Sequence, residues 1–241
     1  MPLPKIDYPM FEVPGISVRD KPVKFRPFLV KEQKMLMMSV ESKDLNEVVS
    51  SLKQIILNCC LEDLDVDKLP LSDLELIFLH LRAKSVGENV DVLFKCNNIL
   101  EDDKKCNMVV NVSIDLLKDV NRGNQNKSNI IWLSDKIAVK MKHPTLEHVK
   151  IMDEDEELKF TDKIIASCID QIIEDEEVHD VSEIAETEVI EFVSQIQTKH
   201  YEKMWEFVSE SPTIKYERTH TCPRCGYDHN IKLEGLADFF I

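Results

Sequence analysis

THTCPRCGYDHNIKLEG, residues 219–235, sets Cys222 and Cys225 two residues apart in a tight turn closed by Pro223 and Gly226. The flanking pieces TIKYERTHT and DHNIKLEG alternate apolar and polar residues, so the turn reads as the tip of a β-hairpin. Two cysteines in this pattern have the form of a zinc knuckle. A tetrahedral zinc site takes four ligands, however, and the stretch supplies only two. The position of the other half decides the topology.

Upstream, Val90, Val92, Phe94 and Cys96, followed by Cys106, Val109, Val110, Val112 and Ile114, lie roughly on one face of a second hairpin around NNILEDDKK, residues 97–105. Its cysteines sit at the loop end of each strand. Two such tips facing one another make a four-thiolate site of Cys96, Cys106, Cys222 and Cys225, with Gly226 supplying a permissive turn dihedral. Nine residues separate Cys96 from Cys106, against about two to four in an ordinary knuckle, so the first half is a longer hairpin whose ends a metal would clamp. Four thiolates close the shell, which makes the expected Zn2+ structural rather than catalytic. The alternatives are a redox CxxC pair, which belongs at the start of a helix, a metal-free turn, or His220 or His229 in place of one cysteine.

Outward from the two hairpins the chain reads as α+β: an N-terminal helical bundle, a zinc-ribbon-like unit and an inserted acidic helical segment. Residues 1–28 carry six prolines and short alternating pieces, the pattern of an extended arm or an edge strand rather than a helix, suited to a partner surface. Residues 29–86 form a helical domain. Its signals are a helix through Leu29, Met35 and Leu36, a capping box at Asp44 and Glu47, and a second at Ser72 and Glu75 before Leu76, Phe78, Leu79 and Leu81. Residues 87–241 hold the hairpins, at 87–118 and 213–235, with inserted strands and helices over 129–211. Within the insertion, IIWLSDKIAVKMKHP reads as short strands turning at Ser134-Asp135. Helices are expected from Thr145 to about Met152, Thr161 to about Ile173, Thr187 to about Ile196 and Thr198 to about Ser209, with acidic runs at 153–157 and 174–177 as solvated faces.

Composition narrows the function. Thirty basic against 45 acidic residues give a net charge of −15, which repels nucleic-acid phosphate and anionic lipid. No stretch approaches the ~20 apolar residues of a membrane span, and the N-terminus lacks the pattern of a signal peptide. Seven cysteines in such a chain read as thiols and ligands in a reducing compartment. Cys59, Cys60 and Cys168 fall in apolar helical patterns and read as buried small hydrophobes. Met35, Met37 and Met38 read as a core stripe, with an adaptable partner surface as the alternative. His143 and His148 are spaced off one helical face and lack an HExxH pattern, and five glycines form no phosphate-cradling loop. No catalytic constellation emerges.

The phrases KFRPFLVKEQKMLMM, LHLRAKSVGE, FKC, VKMKHPTLE and CPRCGYDHNIKLEGLADFF, in this order over nearly the whole chain, resemble the baseplate hub proteins of T4-like tailed bacteriophages, hub subunit and hub assembly protein alike. The resemblance implies a non-enzymatic protein that helps build the hub of a contractile tail. Its implied partners are other hub or tail proteins, the tape-measure protein and a second copy of itself, met in the host cytoplasm during assembly and in the tail baseplate. The N-terminal arm and the exposed face of the helices over 187–209 are the expected contact surfaces. The competing reading is a zinc-ribbon binding module of a transcription or translation factor, resting on Lys215, Arg218, Arg224 and Lys232 beside the knuckle. An oxidoreductase using Cys222 and Cys225 would need a helix after the motif, and YDHNIKLEG does not read as one.

Overall fold

Each apolar stripe of the sequence finds its own core. The computed structural model describes residues 7–42, 44–100, 103–123, 128–146, 148, 157–175 and 177–240, and the architecture is mixed α+β with small antiparallel sheets.

The first core joins a hairpin of β1 (Phe11–Val13) and β2 (Val23–Phe25) to α1 (Val30–Ser42), α2 (Leu45–Cys59) and α3 (Leu71–Ser85). Of the two expectations for this stretch the strand holds and the free arm does not: Val13, Ile16, Val23 and Phe25 are buried among Ile55, Ile56, Ile77, Phe78 and Leu81. Pairing Phe11 with Phe25 and Val13 with Val23 puts apolar side chains on one face, and burying that face outweighs leaving it extended in water. Backbone bonds from Arg26 N to Cys59 O (2.9 Å) and Leu61 N to Lys24 O (2.9 Å) fasten the hairpin to the end of α2. Residues 1–6 of that stretch lie outside the described residues.

Asp44 caps α2 as expected, its Oδ1 accepting from Asn46 N (2.8 Å) and Glu47 N (3.3 Å). Glu32 reaches back from the first turn of α1 to accept from Leu29 N at 2.8 Å while pairing with Arg26 at 3.0 Å. Burial pushes the Glu32 carboxyl up, but the Arg26 and Leu29 hydrogen bonds prevail and hold it below its usual value. The second capping box does not form. Pro70 precedes α3, Ser72 accepts from Arg122 (2.6 Å), and Glu75 accepts from Thr213 Oγ1 (2.7 Å) and Ile214 N (2.9 Å), because distant donors claim both side chains.

The second core lies under the sheet β6 (Ile130–Trp132), β7 (Ile137–Met141), β8 (Ile169–Glu174) and β9 (Glu177–Asp180), strands adjacent in chain order. Against it pack α4 (Glu157–Ser167), α5 (Glu186–Ser194) and α6 (Thr198–Ser209). Ser134 makes the β6–β7 turn, its Oγ accepting from Ile137 N at 3.1 Å. The helix expected to run to Ile173 ends at Ser167: Ile169, Ile172 and Ile173, β-branched and paired with Met141, Val139 and Ala138, belong to the sheet. Glu174, Asp175 and Glu177 of the second acidic run lie at the tip of β8–β9, where Asp175 takes the left-handed conformation (φ 50°) that Asp tolerates. Most of the helix expected from Thr145 to Met152, and residues 153–156 of the acidic run after it, lie outside the described residues.

The third core carries the candidate site. Strands β3 (Asn89–Lys95) and β4 (Val109–Asp115) pair with Val92 opposite Val112, and β10 (Ile214–Thr221) pairs with β11 (Asp228–Glu234) and, at its start, with β5 (Asn121–Arg122). Val112, Ile114, Ile214 and Tyr216 bury one face of the two sheets against Leu79 and Ala83 of α3 and Phe239 of α7 (Gly235–Phe240).

Candidate metal centre

The long first spacing is absorbed by the hairpin. Beyond the last regular pair of β3 and β4, Cys96 N donates to Met108 O (2.8 Å) and Asn107 N to Cys96 O (3.0 Å), with Asn107 in the left-handed region (φ 54°). Cys106 N then donates to Asn98 O (2.8 Å), and Ile99 bridges to Lys105, so the tip folds back and sets Cys96 beside Cys106. At the other tip Cys222 N donates to Tyr227 O (2.8 Å) and Gly226 N to Cys222 O (2.9 Å), with Gly226 at φ 71°.

The four cysteines meet. Their sulfurs all lie within 4.8 Å of one another, with Cys96 Sγ 3.7 Å from Cys225 Sγ and Cys106 Sγ 3.9 Å from Cys222 Sγ. These separations are far beyond a disulfide bond of about 2.05 Å. They are close to the edge of about 3.8 Å that four sulfurs at ~2.3 Å from a tetrahedral centre would have. Cys96, Cys106 and Cys222 are buried and Cys225 is half-buried, so the donor set and its spacing fit a single thiophilic cation.

The surroundings treat the thiols unequally. The Tyr227 backbone N–H, with help from Asn98, brings Cys225 down to about 6, while burial pushes Cys96 up to about 12. Asn98 Nδ2 donates to Cys225 Sγ at 3.6 Å, and Arg224 Nη1 holds Cys106 O at 2.9 Å, joining the tips across the site. His229 Nε2 lies 3.1 Å from Cys96 Sγ, wedged edge-on between Phe94 and Tyr227, where it hydrogen-bonds the sulfur from outside the four-thiol cluster. His220 turns away to Tyr216 Oη (2.7 Å).

The remaining candidates disperse. His143 stacks on Phe207, 4.6 Å between centroids, and His148 Nδ1 accepts from Thr145 N at 2.8 Å. Cys59 and Cys168 are buried, and Cys60 is half-buried with its thiol on Glu62 O (3.3 Å). Met35 packs against the first core, whereas Met37 and Met38 are 56% and 70% exposed and stand outside the stripe the sequence implied. No local pattern reveals Asn98 or Arg224, nor the buried junction in which Asp73 takes Arg122 and Ser17 as partners, because each depends on a segment remote in the chain. No helix among the described residues is long and apolar enough to cross a membrane.

Two hairpins whose tips bring four thiols to a point, set beside a helical core and a four-stranded layer, define an α+β protein with a candidate four-cysteine metal centre. Its sequence matches the profile of the family described as T4 bacteriophage base plate protein over residues 9–241. The chain belongs to that family and is a phage baseplate component. Comparison with curated proteins and with solved structures gives no match.

Proposed function

We propose that this chain is a non-enzymatic component or assembly factor of the baseplate hub, acting by protein–protein binding while a structural Zn2+ at Cys96, Cys106, Cys222 and Cys225 holds its two hairpins together. The observation that carries the reading is the closed thiol cluster in a baseplate-family chain: its ligands come from tips 129 residues apart, so a metal there stiffens a shape rather than offering an open coordination position. The proposed partners are other hub or tail proteins, including the tape-measure protein, met in the host cytoplasm before the tail is complete. The exposed side of α5 and α6, where Trp205 is 39% exposed, is a proposed contact.

The competing reading as a transcription or translation module needs a basic surface beside the ribbon, and the basic residues there are already engaged. Arg218 pairs with Asp119 at 2.9 Å, Lys215 and Lys232 with Glu234 at 2.7 and 3.1 Å, and Arg224 with the Cys106 carbonyl. The deciding experiment is metal content by native mass spectrometry of the intact chain and of Cys106→Ser, with thermal melts and capture of purified baseplate proteins in parallel. One zinc per chain, lost in the variant together with stability, supports the architectural role. Metal absent from both would remove the zinc, and failure to retain any baseplate protein would remove the hub reading.

A further inference from the structure

Strand β3 carries a feature that neither the metal centre nor the family reading uses. Its residues alternate, with Val90, Val92 and Phe94 half-buried against the third core and Asn89, Asp91, Leu93 and Lys95 exposed. One edge pairs with β4, and no strand among the described residues takes the other. Four consecutive residues, Val90 to Leu93, instead line a surface groove of about 480 Å³ bordered by Met37 and Val86. Leu93, Met37 and Val86 are 68%, 56% and 54% exposed, an apolar border along an unpaired edge.

We propose that this edge pairs with the same edge of a second copy, giving a twofold-symmetric dimer with antiparallel β3 strands centred on Leu93. The occupant follows from charge. Antiparallel pairing about Leu93 sets Asp91 opposite the partner's Lys95 and Lys95 opposite the partner's Asp91, with Leu93 on Leu93 between them and Val92 beside Phe94 on the inner face. An opposing strand that matches acid, apolar and base at alternate positions must read acid, apolar, base in its own direction, which is the order of β3 itself. Neither Asp91 nor Lys95 forms an ion pair within the chain among the described residues. The edge strand β9 shows the opposite design: its own antiparallel pairing would set Glu177 against Asp180, a like-charge repulsion. The dimer does not rest on the hub reading.

Sedimentation equilibrium of the full chain over a concentration series tests it, with circular dichroism and zinc content as checks that each variant folds. The wild-type chain is expected to dimerise. Leu93→Lys, Asp91→Lys and Lys95→Asp are each expected to sediment as monomers, since every change lies on an exposed position. An equimolar mixture of the Asp91→Lys and Lys95→Asp chains should form a heterodimer, because both cross-strand pairs become opposite in sign, and the double variant in one chain should dimerise with itself. A monomeric wild type at its highest soluble concentration overturns the proposal, as does a dimer indifferent to these substitutions. Capture of a different tail protein by this edge from a chain that stays monomeric also overturns it.

Discussion

Arg122→Met is expected to destabilise the protein by about 3 kcal/mol, because it strands a buried carboxylate without its counter-charge. Asp73, on α3, is fully buried and pairs with the Arg122 guanidinium, itself only 14% exposed. Arg122 also donates to Gly15 O (2.9 Å) and Ser72 Oγ (2.6 Å), so one side chain joins the short strand β5 to α3 and to the loop of the first hairpin. Removing one partner of a buried ion pair costs about 3–5 kcal/mol. The lower end applies because the Ser17 N–H, at 2.9 Å, and the Ser17 hydroxyl continue to donate to Asp73. For a chain of this size that destabilisation lowers Tm by about 6–12 °C. Methionine keeps most of the side-chain volume, which leaves the uncompensated carboxylate as the main term. Adding Asp73→Asn to Arg122→Met should therefore recover about 1–2 kcal/mol, since an amide is far cheaper to bury than an unpaired carboxylate. Urea unfolding followed by circular dichroism measures all three proteins. An Arg122→Met chain within about 0.5 kcal/mol of wild type, the range of ordinary surface changes, would refute the reasoning, and so would a double variant less stable than the single one.

Two further results follow from the junction between α3 and β10. Burial raises the Glu75 carboxyl above its usual 4.5 despite the hydrogen bonds from Thr213 and Ile214. A carboxyl raised on folding binds its proton more tightly in the native state, so its share of stability falls as pH rises from 4.5 toward the raised value and levels off above it. Glu75→Gln removes the titrating group, so the wild-type stability minus that of the variant should fall as pH rises above 4.5 and then level off, and a difference that rises with pH would contradict the assignment. Gly226 and Gly235 both test backbone strain, one in open space and one beside polar side chains. Both have positive φ, 71° and 72°, but a Cβ on Gly226 meets nothing within 4 Å, whereas one on Gly235 comes 3.4 Å from Glu75 Oε1. Gly226→Ala and Gly235→Ala should each cost about 1 kcal/mol from the backbone in the same urea titration, and a neutral effect at either would contradict the strain assigned to its positive φ.

Whatever depends on neighbours a few residues away can be read directly from the residues. The Asp44 cap, the Ser134 turn, the limits of α6 and the two hairpins all follow from short-range donor spacing and from periods of 2 and 3.6, which are written locally. Even the meeting of the four cysteines was legible, because each pair stood at the tip of a recognisable hairpin. Other features depend on contacts between distant segments. Residues 169–174 satisfy a helical and a strand pattern alike, and only the unpaired edge of β7 selects the strand. Ser72 and Glu75 match a helix cap, but Arg122 and Thr213 arrive from outside as better-placed donors. The proline-rich start reads equally as an arm or an edge strand, and the apolar surface of α2 and α3 selects the strand. In each case the winning interaction joins residues far apart in the chain, and its energy exists only after the intervening segment has folded.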